Sequence, residues 1–476
     1  MDSLPVKPLK PGLVNLPGAT PASAALVAEL IHKDFVAHHC FFNDKHFHNH
    51  LSHHVLSLHD LGAPPERIQT AFDEEAAMQR PLHHGKRGAD AKADGITQAN
   101  WTSHMGETNA HMYADYLAFF SSEIAKHGVP RVLERYVFSP EANGNGAIML
   151  ARFFGGLLHP FIQAGFGIEF GQDFMVAEGL AAAALTTPEG ASVMDLPSGV
   201  PEIRSGAPSS TLLALLHELY SSTRLQPMPY EETEISLARV QKWIASDPGR
   251  GAAIRDIYAK WTFDLRDDAD ISGKVDECMW QAALLLGAIG KAGRKPRMDF
   301  LLMHFLTGSL FLRTIVETLA QPLHKAQLLQ AYAHSAALFV LLRGRPHIDC
   351  ALAMSYPVHP MPPTKDLVRA ASLGGSAWLP LLNNAAVHPE AHVIKSMRTL
   401  FYCAQRYGST PAGAVIGAVD SAGKETHKGA LGLDGTVFVR IAGVLTDALG
   451  WVAHGEKAHF WDFRGGWEEA WSKQDE

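Results

Sequence analysis

Residues 299–319 read DFLLMHFLTGSLFLRTIVETL, and their apolar side chains return at i, i+3, i+4 and i+7, the repeat of a helical face and not of a strand. Working outward, the same repeat occupies residues 22–36, 49–61, 109–126, 211–221, 234–246, 275–289, 324–342, 388–407 and 437–452. Strict alternation is scarce, so the expectation is an all-α protein. Gly62-Ala63-Pro64-Pro65, Gly128-Val129-Pro130, Gly344-Arg345-Pro346 and residues 356–363 fall where helices should stop. Residues 83–95 and 187–210 read as surface loops, neither of them a clear linker. With no repeat and no boundary, the chain reads as one large multi-helix domain over residues 21–476, preceded by an extended arm over residues 1–20.

Of 476 residues, 47% are hydrophobic, enough for a large buried core, and only 19% are charged. The net charge of -8 is scattered without a basic block, which argues against a nucleic-acid partner. Cys40, Cys278, Cys350 and Cys403 are far apart and form no CxxC pair, as expected of buried thiols in a reducing compartment. Residues 1–16 lack the apolar core of a signal peptide, no run is long enough to span a bilayer, and Asp475-Glu476 is too little for a retention signal. A cytoplasmic protein without a membrane anchor follows. No GxGxxG follows a strand, so a tightly bound flavin or nicotinamide is not expected.

The 26 histidines are about twice the usual number for this length. Most read as surface or core residues, and four segments hold the candidates. His48-Asn49-His50-Leu51-Ser52-His53-His54 opens a helix, so His50 and either His53 or His54 share a face suited to one metal ion. His159 precedes Pro160, which denies the residue before it an ordinary helical conformation; Glu169 and Glu178 follow as partners for an imidazole N–H. His304 is surrounded by apolar residues, so it either bonds a carbonyl or Thr307, or binds a ligand. His392 and Lys395 lie three apart on one helical face, where a lysine either reaches to solvent or, desolvated and neutral, reacts with carbon dioxide to give an oxygen-donor carbamate.

In this order, FHNHLSHHVLSLHDLG (47–62), LHPFIQAGFGIE (158–169), DFLLMHFLT (299–307) and HVIKSMR (392–398), with Trp461-Asp462-Phe463 near the end, resemble the questin oxidase-like family of fungal secondary metabolism. The resemblance implies an oxygenase, monooxygenase or dioxygenase, that opens an anthraquinone ring beside a quinone carbonyl, as a Baeyer-Villiger reaction does, but without flavin. It further implies non-haem Fe(2+) buried between helices, held by His50, His159, His304, His392 and a carboxylated, catalytic Lys395, with one position open. His50 is preferred because the Asn-His pair matches the family pattern. His54, Glu169 and Glu178 would be outer or substrate contacts. Gln163 stands where that pattern has a histidine, which bears on a substrate contact more than on the metal. The implied partners are the aromatic polyketide and dioxygen; NADPH is expected only indirectly, through a partner reductase.

Two other readings fit the same residues. Carboxylated lysine with histidines also builds metal-dependent hydrolases, usually on β/α barrels, and turnover without oxygen would identify one. A non-catalytic helical ligand carrier would hold no metal.

Overall fold

The computed structural model describes residues 4–83, 95–194, 199–202, 209–232, 237–362 and 375–472. Much of the two expected loops (84–94, 195–198 and 203–208) lies outside these residues. So do the start of the expected 234–246 helix, Met1 to Ser3, Pro363, Asp475 and Glu476. Among the described residues the protein is all-α, and β pairing is limited to isolated bridges such as Asp299 with Asp462. No single described helix is long and apolar enough to cross a membrane; one broken pair, Phe300–Ser309 followed by Leu312–Thr318, reaches that length and composition jointly.

That pair corrects the expectation of one helix over residues 299–319. The first helix stops at Ser309, whose hydroxyl donates to the Leu306 carbonyl (2.7 Å), and Gly308 beside it adds little helix propensity. Such Gly-Ser steps are common sites of helix breaks. The break falls where the chain passes between two compact units: Met1–Gly199 with Phe311–Ala331, and Val200–Leu310 with Tyr332–Glu476.

In the first unit, the helix Asp173–Leu185 is buried from Phe174 to Leu185. It has no polar face, which is why a search for amphipathic stripes passes over it. The helices His159–Phe170, Tyr113–His127 and Met149–Phe153 pack on it. Gly179 permits the closest approach: a Cβ there would stand 2.6 Å from the Pro160 carbonyl oxygen and 2.9 Å from the Ala164 nitrogen. Gly165 likewise receives the Phe311 ring, where a Cβ would meet Cγ at 2.4 Å. Pro21–Ala37, Leu51–Asp60 and Pro65–Ala76 pack against one another. Thr20 caps the first of these with a reciprocal Thr20–Ser23 pair. The arm is tied down by Leu16 N–H to the Asp60 carbonyl (2.9 Å) and Lys10 N–H to the Phe170 carbonyl (3.1 Å).

In the second unit, Phe300–Ser309 packs on Asp268–Gly287 and on Ala391–Tyr407, and the latter on Val437–Leu449 and Trp378–Val387. Asp299 starts the helix of the opening stretch. Its Oδ1 accepts from the N–H groups of Leu301 and Leu302 (both 2.9 Å), and its Oδ2 accepts from Arg343 Nε (2.7 Å). The strand-like residues 461–463 lie along the same helix start: Phe300 N–H donates to the Asp462 carbonyl (2.9 Å) and Asp462 N–H to the Met298 carbonyl (2.8 Å).

Candidate metal centre

Each unit carries a pair of histidines. In the first, His50 is the residue just before the Leu51–Asp60 helix. Asn49 supplies the cap, its Oδ1 accepting from Leu51 N–H (2.9 Å), while its Nδ2 donates to Asp34 Oδ1 (2.8 Å), an oxygen shared with His38 Nδ1 (2.8 Å). The Asn-His pair singled out in the sequence is therefore a cap and its neighbour, fixed from both sides.

His159 opens the His159–Phe170 helix after three successive left-handed residues, Gly156, Leu157 and Leu158 (φ 55°, 56° and 64°). The non-helical residue is thus Leu158, and not His159 as Pro160 alone suggests: the left-handed turn has already delivered the chain in line with the proline's fixed φ. His159 Nδ1 stands 2.6 Å from the Gly156 carbonyl oxygen. A carbonyl only accepts, so Nδ1 carries the hydrogen and Nε2 keeps the lone pair. Nε2 lies 2.8 Å from His50 Nε2, and the two rings meet edge to face at 4.7 Å. Two imidazoles binding one ion at about 2.05 Å, at a right angle, stand about 2.9 Å apart, so the pair has the separation of neighbouring ligands. His48, which the sequence reading left unassigned, stacks flat on His159 (4.7 Å, 7°).

The remaining candidates of this unit have other partners. His53 stacks on Phe166 (4.7 Å, 13°) and meets the His50 ring edge-on at 5.7 Å. His54 pairs through Nδ1 with Glu75, tying its helix to Pro65–Ala76. Glu169 Oε1 accepts from Leu13 N–H of the arm (2.7 Å). Glu178 Oε2 accepts from Gln163 Nε2 (2.7 Å), and Gln163 Oε1 accepts from Ser52 Oγ (3.3 Å). Burial first, and then the charge of Asp34, push the Glu178 carboxyl well above the usual carboxylate range, which favours its protonated form. With Tyr113, His48, His53, His159 and Gln163 it lines a polar cavity of about 20 Å³, room for one water.

In the second unit, His304 is fully buried (0% exposed), with Nδ1 on the Phe300 carbonyl (2.8 Å) one turn back. The carbonyl partner expected of a buried histidine is present, and it again leaves Nε2 as the lone-pair nitrogen. His392 Nδ1 bonds Glu390, the N-cap residue of Ala391–Tyr407, and Trp461 Nε1 donates to the other Glu390 oxygen (2.6 Å). Burial opposes the Glu390 charge, but His392 and Trp461 outweigh it and hold the carboxyl down at about 2. The rings of His304 and His392 stand 4.8 Å apart, and Phe300 lies against both (5.0 and 5.2 Å), with Phe463 on its far side (4.8 Å). Lys395 follows His392 by one turn and is 2% exposed, so it does not reach solvent.

Glu390 escaped the sequence reading although its place two residues before His392 was visible. The closing residues Trp461 and Phe463 were noticed, but not their task, which is to hold Glu390 and Phe300.

A profile of the questin oxidase-like family matches residues 47–400. The questin oxidase of Aspergillus terreus is 29% identical over 365 residues, 76% of either chain. The questin oxidase of Aspergillus fumigatus is 27% identical over 456 residues, 93% of this chain and 92% of that one. The Baeyer-Villiger oxidase ptaJ of Pestalotiopsis fici is 30% identical over 303 residues, 63% of this chain and 65% of that one.

Proposed function

The chain belongs to the questin oxidase-like family and is an oxidoreductase, and from that premise we propose that it cleaves a carbon-carbon bond of an anthraquinone beside a quinone carbonyl, using dioxygen. The names of its relatives support this substrate and a Baeyer-Villiger outcome. The proposed cofactor is one non-haem iron(II) ion held by His50, His159, His304 and His392, with Lys395, as its carbamate, giving an anionic oxygen.

The observation that carries the metal reading is the shared state of three rings. His159, His304 and His392 each bond through Nδ1 to an acceptor, two of them backbone carbonyls. This outer bonding is the usual device that presents Nε2 of an imidazole to a metal. Iron bound there would supply the redox chemistry that activates dioxygen. The chain's own contribution is placement. Phe300 lies against His304 and His392 and is backed by the exposed Phe463, an aromatic edge suited to stacking a planar substrate. Glu178, its carboxyl pushed up by burial, lines the same small cavity as His159. All-α architecture among the described residues also separates this site from the β/α-barrel hydrolases.

Elemental analysis of the wild type beside His304→Ala tests the reading. The expected result is about one iron per chain, lost in the variant, with oxygen uptake on adding an anthraquinone or its hydroquinone. Zinc with oxygen-independent turnover would replace the oxygenase by a hydrolase. Full iron content and turnover in Lys395→Ala would remove that residue from the ligand set.

A further inference from the structure

The turn before His159 costs energy that the helix does not need to spend. Left-handed backbone costs roughly 1–2 kcal/mol for each residue other than glycine, and Leu157 and Leu158 both adopt it. Such a conformation persists only where its surroundings over-determine it. They do so here. A Cβ on Gly155 would stand 2.4 Å from the Thr187 carbonyl oxygen, and one on Gly156 2.7 Å from His48 Nε2, so both glycines are pressed against neighbours. Leu158 is fully buried. A side chain from farther along the chain also bonds the turn's backbone: Glu189 Oε2 accepts from Gly156 N–H (3.1 Å). The same residue, Gly156, offers its carbonyl to His159 Nδ1.

We propose that Glu189 is a positioning residue for His159: by holding Gly156 N–H it keeps the left-handed turn closed, and through the Gly156 carbonyl it fixes which nitrogen of His159 is left to bind a metal. This rests on the assignment of His159 as a ligand. The segment that leads to Glu189 is held in place. Arg152 Nη1 donates to the Thr186 carbonyl (2.7 Å), and Glu107 accepts from Thr187 Oγ1 (2.7 Å) while pairing with His46 Nδ1 (3.0 Å). A solvent-exposed acceptor would serve a simple loop as well; a partly buried carboxyl beside Glu107 is a costly choice that makes sense if the turn must not open.

The test uses metal-free protein labelled with ¹⁵N-histidine, with His159 assigned by its loss in His159→Gln. Long-range ¹H–¹⁵N correlation should find the proton on Nδ1 in the wild type, on a mixture of both nitrogens in Glu189→Leu, and back on Nδ1 in Glu189→Gln, which keeps an acceptor. Iron(II) affinity, read by chelator competition, should weaken by about 10–100-fold in the leucine variant and recover in the glutamine variant. A wild-type tautomer and affinity in Glu189→Leu would overturn the proposal, as would equal loss in both variants. Should Glu189→Leu not fold, Glu189→Asp, one methylene too short to reach Gly156, takes its place. A wild type that binds no iron would sink the oxygenase reading, while the tautomer still decides the role of Glu189.

Discussion

Asp299 has two tasks that one substitution can separate. Its Oδ1 caps the helix of His304, and its Oδ2 accepts from Arg343 Nε, with Nη2 at 2.6 Å and the two side chains 1% and 0% exposed. Asparagine caps a helix about as well as aspartate, so Asp299→Asn keeps the first task and strips Arg343 of its counter-charge. Removing one partner of a buried ion pair costs about 3–5 kcal/mol; with the asparagine oxygen kept on the cap, its amide NH2 faces Arg343 and offsets none of this, so the expected loss is about 3 kcal/mol or more. Asp299→Ala forfeits the cap too, adding about 1 kcal/mol. In a unit of this size each kcal/mol moves the melting midpoint by about 2–4 °C, so Asp299→Asn should melt roughly 6–12 °C lower. Arg343 lies over the Trp467 ring (4.6 Å), so tryptophan fluorescence and calorimetry both report the transition. Adding Arg343→Met to Asp299→Asn should restore most of the loss, because an apolar side chain leaves no charge stranded. An Asp299→Asn protein melting within 2 °C of wild type, or a double variant worse than either single one, would refute this account.

Gly179→Ala places a methyl group 2.6 Å from the Pro160 carbonyl oxygen and should destabilise by about 1–3 kcal/mol, measured by urea titration; an unchanged midpoint would show that the helices separate freely. Glu189 offers a pH test. Burial raises its carboxyl from 4.5 to about 7, partly opposed by bonds from its own N–H and that of Gly156. A raised folded pKa stabilises below the unfolded value, and that stability is lost as pH rises from about 4.5 through about 7, some 3 kcal/mol in all. Glu189→Gln should lack this component, so the difference in unfolding free energy between pH 5 and pH 8 should shrink; equal differences in both proteins would exclude it.

The helices with one polar face were legible because periodicity records burial on one side only. Asp173–Leu185 was not, since it is enclosed all round and repeats nothing. The break at Ser309 was hidden because the apolar repeat runs on through it, while the cause is a hydroxyl bonding a carbonyl. Nor does any spacing rule connect residues 50, 159, 304 and 392; their grouping came from the family resemblance. The acceptors that set the imidazole tautomers were beyond reach for a simpler reason: two of the three are backbone carbonyls, which carry no residue identity. For His54 the helical spacing left its role open, and the side chain that engages it, Glu75, lies on the next helix.

The interleaving of the two units has a consequence for synthesis on the ribosome. The first unit draws on Phe311–Ala331, and Phe311 packs at Gly165 and against Phe166 (4.7 Å) on the helix that His159 begins. Translation at about 5–20 residues per second leaves that helix without its cover for several seconds after Gly199 emerges. During that interval Val200–Leu310, which belongs to the other unit, is also emerging without its own second segment. Neither unit can finish before the other has begun, so the nascent chain displays two incomplete apolar surfaces at once, and its yield should depend more on chaperone supply than that of a protein whose domains emerge one after another.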